Sequence, residues 1–577
     1  MTSPLVNLRE FLARQHLAGI IVPRTDEFQN EYIAPANEAL AWLCGFTGSN
    51  GLAVVLKDKA ALFTDGRYSL QAKEEVNGEQ FSLHHIIQES PALWLAQQIK
   101  QGDKIAYIPA LHTPDEIEKF AQSVRLKGGS LAALTEDPLT ALWQGRPARL
   151  ASPVRAQDKA YAGLSSSEKI VQILPELKNQ QLDAMLLTAP DSVCWLLNIR
   201  GEDVPYNPFV LGAALLYQDG NVDLFVDPAR IKIDLGSKVK AHKPEDLPKI
   251  LAKLKDRNLG FDKQRSSVYF QQQAIAAGAK IIFVKDPCQL PKACKNPVEL
   301  QGIHAAHQRD GAAVTKFLAW LSQQKPESLD EMKAAGKLEE FRKSSNSYRG
   351  PSFPTICGFG SNGAIVHYRS ISKTNKKFST GNLLLIDSGG QYLDGTTDIT
   401  RTIAIGQPTS EMRENFTRVL KGHIALATTQ FPIGTSGHQL DAIARRPLWD
   451  AGLDYDHGTG HGVGCYLSVH EGPQRIAKLA GHVPLKPGMI LSNEPGYYKE
   501  GAYGIRIENL IAVKELRDGW LGFETLTLAP LDPALIDKNL LNDAELKWLR
   551  DYHACVYREL KDQLDEETRA WLEGNKL

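Results

Sequence analysis

Between residues 387 and 508, four carboxylates and one imidazole fall in short segments that read as strands or strand ends: Asp387, Asp398, His461, Glu494 and Glu508. Most stand next to glycine or a β-branched residue, which argues for extended, closely approached backbone rather than helix. A fold that uses them must bring separate strand ends to one place. Together they form an oxygen-rich, strongly negative ligand set with enough charge to hold two divalent ions side by side. Two ions bridged by carboxylates can generate hydroxide at neutral pH, so a metallohydrolase is the simplest reading.

Each segment supports this locally. Leu383-Leu384-Leu385-Ile386 is an apolar run suited to a buried strand, and Asp387 ends it before Ser388-Gly389-Gly390. After the turn signal Asp394-Gly395, Thr396 to Ile405 resumes as a β-branched strand with Asp398, Thr400 and Thr402 on one face and Ile399, Arg401 and Ile403 on the other. Asp387 and Asp398 therefore span one hairpin and can meet across neighbouring strands. His457-Gly-Thr-Gly-His461-Gly-Val-Gly has an HxxxH spacing, but its alternate glycines disfavour a helix and allow close approach to a neighbouring strand. His470 follows in Val469-His470-Glu471-Gly472. Met489 to Asn493 reads as a strand that Pro495-Gly496 stops just after Glu494. Gly504-Ile505-Arg506-Ile507-Glu508-Asn509 alternates, with Arg506 and Glu508 on one face.

The bulk numbers exclude other classes. At 577 residues the chain is too long for one core, and 43% hydrophobic with 23% charged residues is ordinary for globular protein. A net charge of −1 argues against bulk nucleic-acid or anionic-membrane binding. The seven cysteines are scattered without a CxxC pair, which disfavours a structural zinc site. No basic n-region followed by an apolar stretch opens the chain, and its longest apolar run, Val210 to Tyr217, is far short of the ~20 residues of a membrane span. A soluble cytoplasmic protein is expected.

The first third reads as α/β. Gln15 to Val22, Gly51 to Leu56 and Lys59 to Asp65 are strand-like, and Ala39 to Gly51 is a helix followed by a glycine loop. After a Pro/Ala/Ser-rich stretch the same order returns, with strands at Leu182 to Leu187, Ala213 to Tyr217 and Val222 to Val226, so a duplicated unit is expected. Helical spacing marks Lys295 to Gln324, and a second helix is expected over Ser328 to Arg342, with Ser328 as N-cap and Glu331 three residues on. Two amphipathic helices, Asp543 to Arg558 and Leu560 to Glu573, end the chain. Gly358-Phe359-Gly360-Ser361-Asn362-Gly363 spells GxGxxG, but Ala364 to Tyr368 reads as a strand rather than the helix a dinucleotide site needs. His367 lies in that run and is a candidate for the site.

These motifs together resemble the pita-bread metallopeptidases: Asp387-Ser-Gly, Asp398-Ile-Thr-Arg-Thr, His457-Gly-Thr-Gly-His461, Val469-His-Glu-Gly-Pro473, Asn493-Glu-Pro-Gly-Tyr-Tyr498 and Gly504-Ile-Arg-Ile-Glu-Asn509. Cys44-Gly-Phe-Thr-Gly-Ser49, Phe63-Thr-Asp-Gly-Arg-Tyr68 and Trp195-Leu-Leu-Asn-Ile-Arg-Gly201 extend the resemblance to the long, cytosolic, three-domain Xaa-Pro aminopeptidases of that family. It implies an α/β and α+β chain: creatinase-like domains over 1–157 and 158–294, then a pita-bread catalytic domain with a curved, mostly antiparallel sheet and a helical tail over 295–577. It implies two divalent ions, Mn(II) being expected. Asp387 would chelate one ion, His461 and Glu494 the other, and Asp398 and Glu508 would bridge them. The implied reaction removes the first residue of peptides with proline second, by attack of a metal-bridging hydroxide. Glu494 would move the proton, His367, His457 and His470 would surround the site, and Arg506, Tyr498 and Arg67 would contact substrate. No nucleic acid or membrane partner is implied, and a homodimer is. The alternatives are an Xaa-Pro dipeptidase, a metal-free creatinase-like hydrolase, and a catalytically inactive fold that binds peptides or acts as a chaperone.

Overall fold

A computed structural model describes residues 3–575. Contacts divide the chain into two compact units, Met1–Asp158 with Leu164–Cys288, and Lys159–Gly163 with Gln289–Leu577.

The first unit holds two six-stranded sheets. Across the first, the order is Ser82–His85, Ala60–Thr64, Leu52–Leu56, Gly19–Pro23, Lys104–Tyr107 and Ser130–Ala133. Across the second it is Val239–His242, Val222–Phe225, Ala213–Tyr217, Ala184–Leu187, Asn258–Phe261 and Lys280–Phe283. In both, the three consecutive strands at the centre pair antiparallel and the other neighbours pair parallel. The duplication read from loosely similar segments is thus a repeated topology. Gly19–Pro23, Leu52–Leu56 and Ala184–Leu187 are buried at every residue, as expected of strands covered on both faces.

The second unit carries the ligand motifs on antiparallel sheet flanked by helices. Its largest sheet runs Phe431–Pro432, Trp520–Thr525, Asn509–Arg517, Ile490–Asn493, Gly460–Gly462 and Glu471–Ile476. A second sheet places Asn382–Ser388 between Ile356–Phe359 and Ile399–Ile405. The long helix Pro297–Ser322 starts at a capping box between Asn296 and Glu299. Helices Ser410–Ala427 and Gly437–Trp449 pack on each other, and the chain ends in Asp543–Leu560 and Glu566–Gly574. Among the described residues no helix is long and apolar enough to cross a membrane.

Three local expectations are corrected. The second helix begins at Glu331 with Asp330 as its N-cap, and Ser328 lies in a short 3-10 turn. Glu331 is fully buried and accepts from the Phe359 and Lys376 N–H groups, the Asn362 amide and the Tyr368 hydroxyl. Four donors hold that carboxylate, which a capping geometry could not have offered. The same bonds explain the second correction: Gly360–Ala364 curls into a 3-10 turn instead of leading into a strand. The glycine motif still opens no α-helix, so it is no dinucleotide site. Third, the alternating run at Gly504 to Asn509 is two elements. Tyr503–Arg506 pairs with Gly496–Lys499 in a hairpin, and Asn509 opens the next strand. Between them the Ile507 N–H donates to the Pro495 carbonyl (3.3 Å) and the Glu508 N–H to the Thr400 carbonyl (3.2 Å). Glu508 therefore sits where the two sheets are stitched together.

Candidate metal centre

The Asp387 strand pairs with the Ile399–Ile405 strand in a register that sets Asp387 opposite Thr400, while Asp398 stands just before Ile399. His461 lies mid-strand in Gly460–Gly462. A Cβ on Gly460 would come within 2.0 Å of the Ser492 carbonyl oxygen, and one on Gly462 within 2.1 Å of the Glu471 carbonyl oxygen. Only glycine on both sides of His461 lets its strand lie this close to its neighbours. Glu494 follows the Ile490–Asn493 strand, and its N–H donates to the Thr459 carbonyl at 2.8 Å.

These strand ends converge. Ligand atoms of Asp398, His461 and Glu508 lie within 4.8 Å of one another. The His461 Nε2 is 3.4 Å from Asp398 Oδ2 and 3.7 Å from Glu494 Oε1. Its Nδ1 is 2.9 Å from the Gly462 carbonyl oxygen. Donation of Nδ1–H to that carbonyl leaves the Nε2 lone pair facing the carboxylates, the arrangement of a metal-binding histidine. Asp387 accepts from the Arg506 Nη2 at 2.6 Å through Oδ2, whereas its Oδ1 is buried without a hydrogen-bond partner. Burial pushes the Asp398 carboxyl well above the usual range, followed by repulsion from Asp387 and Glu494. Glu508 is pushed up in the same way, by burial and then by Asp398, Asp387 and Glu494. A buried orphan acceptor beside crowded carboxylates fits cations between them. Hard oxygen donors with one imidazole suit a divalent cation.

The remaining candidates are distributed around this cluster. The His470 ring meets the His461 ring edge-on at 4.3 Å between centroids. The His457 Nε2 is 2.8 Å from the Tyr498 hydroxyl, which accepts from the Arg506 Nη1 at 2.6 Å. Arg506 is 1% exposed, and its Nε donates to the Thr400 hydroxyl. It thus orients Asp387 and Tyr498 from within the protein rather than standing in an open cavity. His367 follows Val366, whose carbonyl faces Arg506 at 3.4 Å. Arg67 belongs to the first unit, where Asp65 takes its Nε and Nη2 at 2.8 and 2.7 Å.

Arg506→Lys is expected to lower kcat/KM by about 10–100-fold and to loosen metal retention, because a point ammonium cannot serve Asp387, Tyr498 and Thr400 together. Steady-state kinetics with elemental analysis of the purified variant check this.

Several residues around the centre escaped the sequence reading. Thr400 donates to Glu508 Oε2 at 2.8 Å. Buried Lys292 and Lys295 both pair with the buried Glu471 carboxylate next to His470. Arg401 and His423 lie behind the ligand strands. Arg401 carried a signal: an arginine on the apolar face of a buried strand must find several acceptors. His423 carried none, since a single histidine among Val419, Leu420 and Ile424 resembles any satisfied core histidine.

Comparison with known proteins agrees with this geometry. The sequence model of metallopeptidase family M24 matches residues 301–515, and that of its C-terminal region matches 519–575. Models of the creatinase/prolidase N-terminal domain match 5–136 and 145–299. A probable Xaa-Pro aminopeptidase P of Paracoccidioides brasiliensis is 39% identical over 98% of this chain and 97% of its own length. Among solved structures, an X-prolyl aminopeptidase of Caenorhabditis elegans, described as a cytosolic enzyme with a di-nuclear active site, superposes with a TM-score of 0.93 at 32% identity, covering 100% of this chain and 99% of that one. An Xaa-Pro dipeptidase of Bacillus anthracis covers 64% of this chain and 99% of its own, at 25% identity and a TM-score of 0.54. With these models matched along the chain and a 39% identical relative aligned over almost its whole length, this chain belongs to metallopeptidase family M24 and carries two creatinase-type N-terminal domains ahead of its catalytic domain.

Proposed function

We propose that this chain is a metal-dependent aminopeptidase that removes the first residue from peptides whose second residue is proline. The observation that carries the reading is the convergence of Asp398, His461 and Glu508 beside Glu494 and the unpartnered Asp387 Oδ1. The near-complete likeness to Xaa-Pro aminopeptidases, at 39% and 32% identity, favours a peptide over a dipeptide substrate.

In this reading Asp387, Asp398, His461, Glu494 and Glu508 would hold two divalent ions, with Mn(II) as the metal. When bound, the ions lower the pKa of water and polarise the scissile carbonyl. Glu494 is the proton carrier: its side chain is 18% exposed, against 10% for Asp387 and 5% for Asp398, and Glu508 is 1% exposed. A carboxylate that reaches solvent can take the proton from the attacking water and deliver it to the proline nitrogen. The Ser492 hydroxyl, 3.2 Å from Glu494 Oε1, orients it. His470 and His367 stabilise charge developing on the carbonyl oxygen, and His457, held through Tyr498, lines the approach. Arg506 acts on Asp387. Domain boundaries near 157 and 294, a cytoplasmic location and a homodimer belong to the same proposal.

The test is hydrolysis of an Xaa-Pro-Xaa tripeptide beside an Xaa-Pro dipeptide, with chelator and with Mn(II) restored. Cleavage of the tripeptide that chelator abolishes and Mn(II) restores is expected. Preference for the dipeptide favours the prolidase reading, and no cleavage in any condition favours the inactive fold.

A further inference from the structure

Behind the two glutamate ligands lies a buried polar layer that the proposed reaction does not use. Arg401 is 2% exposed, and among the described residues no carboxylate pairs with its guanidinium; six neutral oxygens surround it. Its Nη1 donates to the carbonyls of Thr400 (2.9 Å) and of Glu508 itself (2.8 Å). The Asn509 side-chain oxygen accepts from Nη2 at 2.9 Å. The other three oxygens, those of the Ala529 and Pro530 carbonyls and the Tyr552 hydroxyl, all lie in the region after residue 519. A buried cation takes this position only where enough oxygens are fixed around it, so half of what holds Arg401 against Glu508 comes from the C-terminal region.

His423 completes the layer from the helix Ser410–Ala427. It is fully buried, and burial lowers its pKa to about 3, so the ring is neutral. Its Nδ1 lies 3.1 Å from the carbonyl of Asn493, the residue before Glu494. Its Nε2 lies 3.1 Å from the side-chain amide of Asn509, the residue after Glu508. One neutral imidazole can make both bonds at once, donating through Nδ1–H and accepting at Nε2. The Asn493 amide returns a bond to the His423 carbonyl at 2.9 Å. The ring of Trp548 meets His423 edge-on and stacks on Tyr552, so the same C-terminal helix backs both polar groups.

We propose that His423, Arg401 and Tyr552 are positioning residues of the metal centre, fixing the spacing between Glu494 and Glu508 from behind, and that the C-terminal region is thereby a working part of the site. The proposal rests on the dinuclear reading above. Outer groups that orient metal ligands typically carry 10–100-fold in metal affinity. They act by setting where the ligands stand, so their loss is made good by excess metal.

The test uses the full chain with Mn(II) as the probe. Mn(II) affinity is measured in chelator-buffered solution for the wild type, Tyr552→Phe, His423→Phe and His423→Asn, alongside the melting temperature of the metal-free protein. Asp565→Ala serves as control: it removes the cap of the last helix, a bond from the Thr568 N–H, in the same C-terminal region but outside the layer. Tyr552→Phe and His423→Phe are expected to bind Mn(II) at least 10-fold more weakly, with kcat largely recovered at saturating Mn(II). His423→Asn, which keeps a donor near the place of Nδ1, is expected to fall between them and the wild type. Asp565→Ala is expected to melt earlier and bind Mn(II) as the wild type does. Wild-type affinity in Tyr552→Phe and His423→Phe, or an equal loss in Asp565→Ala, overturns the proposal while leaving the dinuclear reading intact. A wild-type chain that binds no Mn(II) overturns both.

Discussion

Glu494→Gln lowers kcat by about 10²–10⁴-fold, the range of a positioned general acid–base group, and more where a metal is also lost. The amide keeps the shape of the side chain and its contact with the Ser492 hydroxyl, but it carries no charge for a cation and cannot accept a proton at neutral pH. Two measurements separate its roles. If both metals remain by elemental analysis and kcat still falls, the defect lies in proton transfer. If one metal is lost and excess Mn(II) restores activity, the defect lies in ligation. Near-normal turnover with two metals bound refutes the assignment. Glu494 is the right position for this experiment because Asp398 and Glu508 are buried between neighbouring carboxylates, where substitution changes the whole cluster.

The second large effect concerns stability. Glu471→Ala is expected to cost about 3–5 kcal/mol, the usual consequence of removing one partner from a buried ion pair. The Glu471 carboxylate is fully buried between Lys292, at 2.8 Å, and Lys295. Without it two ammonium groups remain together in the interior. A fall in melting temperature on the order of 10 °C is expected in a calorimetric scan. Activity falls as well, since Glu471 directly follows His470, whose ring rests on His461. Lys292→Met with Lys295→Met and Glu471→Leu is expected to recover most of the stability, because replacing the whole group by apolar side chains removes the stranded charges. An unchanged melting temperature in Glu471→Ala refutes the argument.

Much of the site was legible because its chemistry is local. Asp387 closes an apolar strand, Glu494 is stopped by Pro495, and His461 stands between glycines whose replacement would drive a Cβ to about 2 Å from a neighbouring carbonyl. Each signal depends on a few adjacent residues, and the duplication of the N-terminal sheets shows in a repeated order of strands for the same reason. Misreadings arose where a partner distant in sequence decided the outcome. Glu331 looked like a capping-box residue but serves Phe359, Asn362, Tyr368 and Lys376. Arg506, a substrate contact by resemblance, also holds Asp387, 119 residues earlier in the chain, a bond that no spacing announces.

Residue type and spacing alone thus picked out the candidate ligands, the antiparallel strands that bear them and the doubled α/β region before them. Apolar runs, glycine, proline and ionisable side chains impose those choices within a few residues of themselves. Tertiary structure alone decided what holds the candidate ligands in place: Arg401 among the carbonyls of Thr400, Glu508 and the C-terminal region, His423 between Asn493 and Asn509, and Glu471 between two lysines. Buried polar groups must find partners wherever folding delivers them, and no spacing in the chain encodes a partner about a hundred residues away.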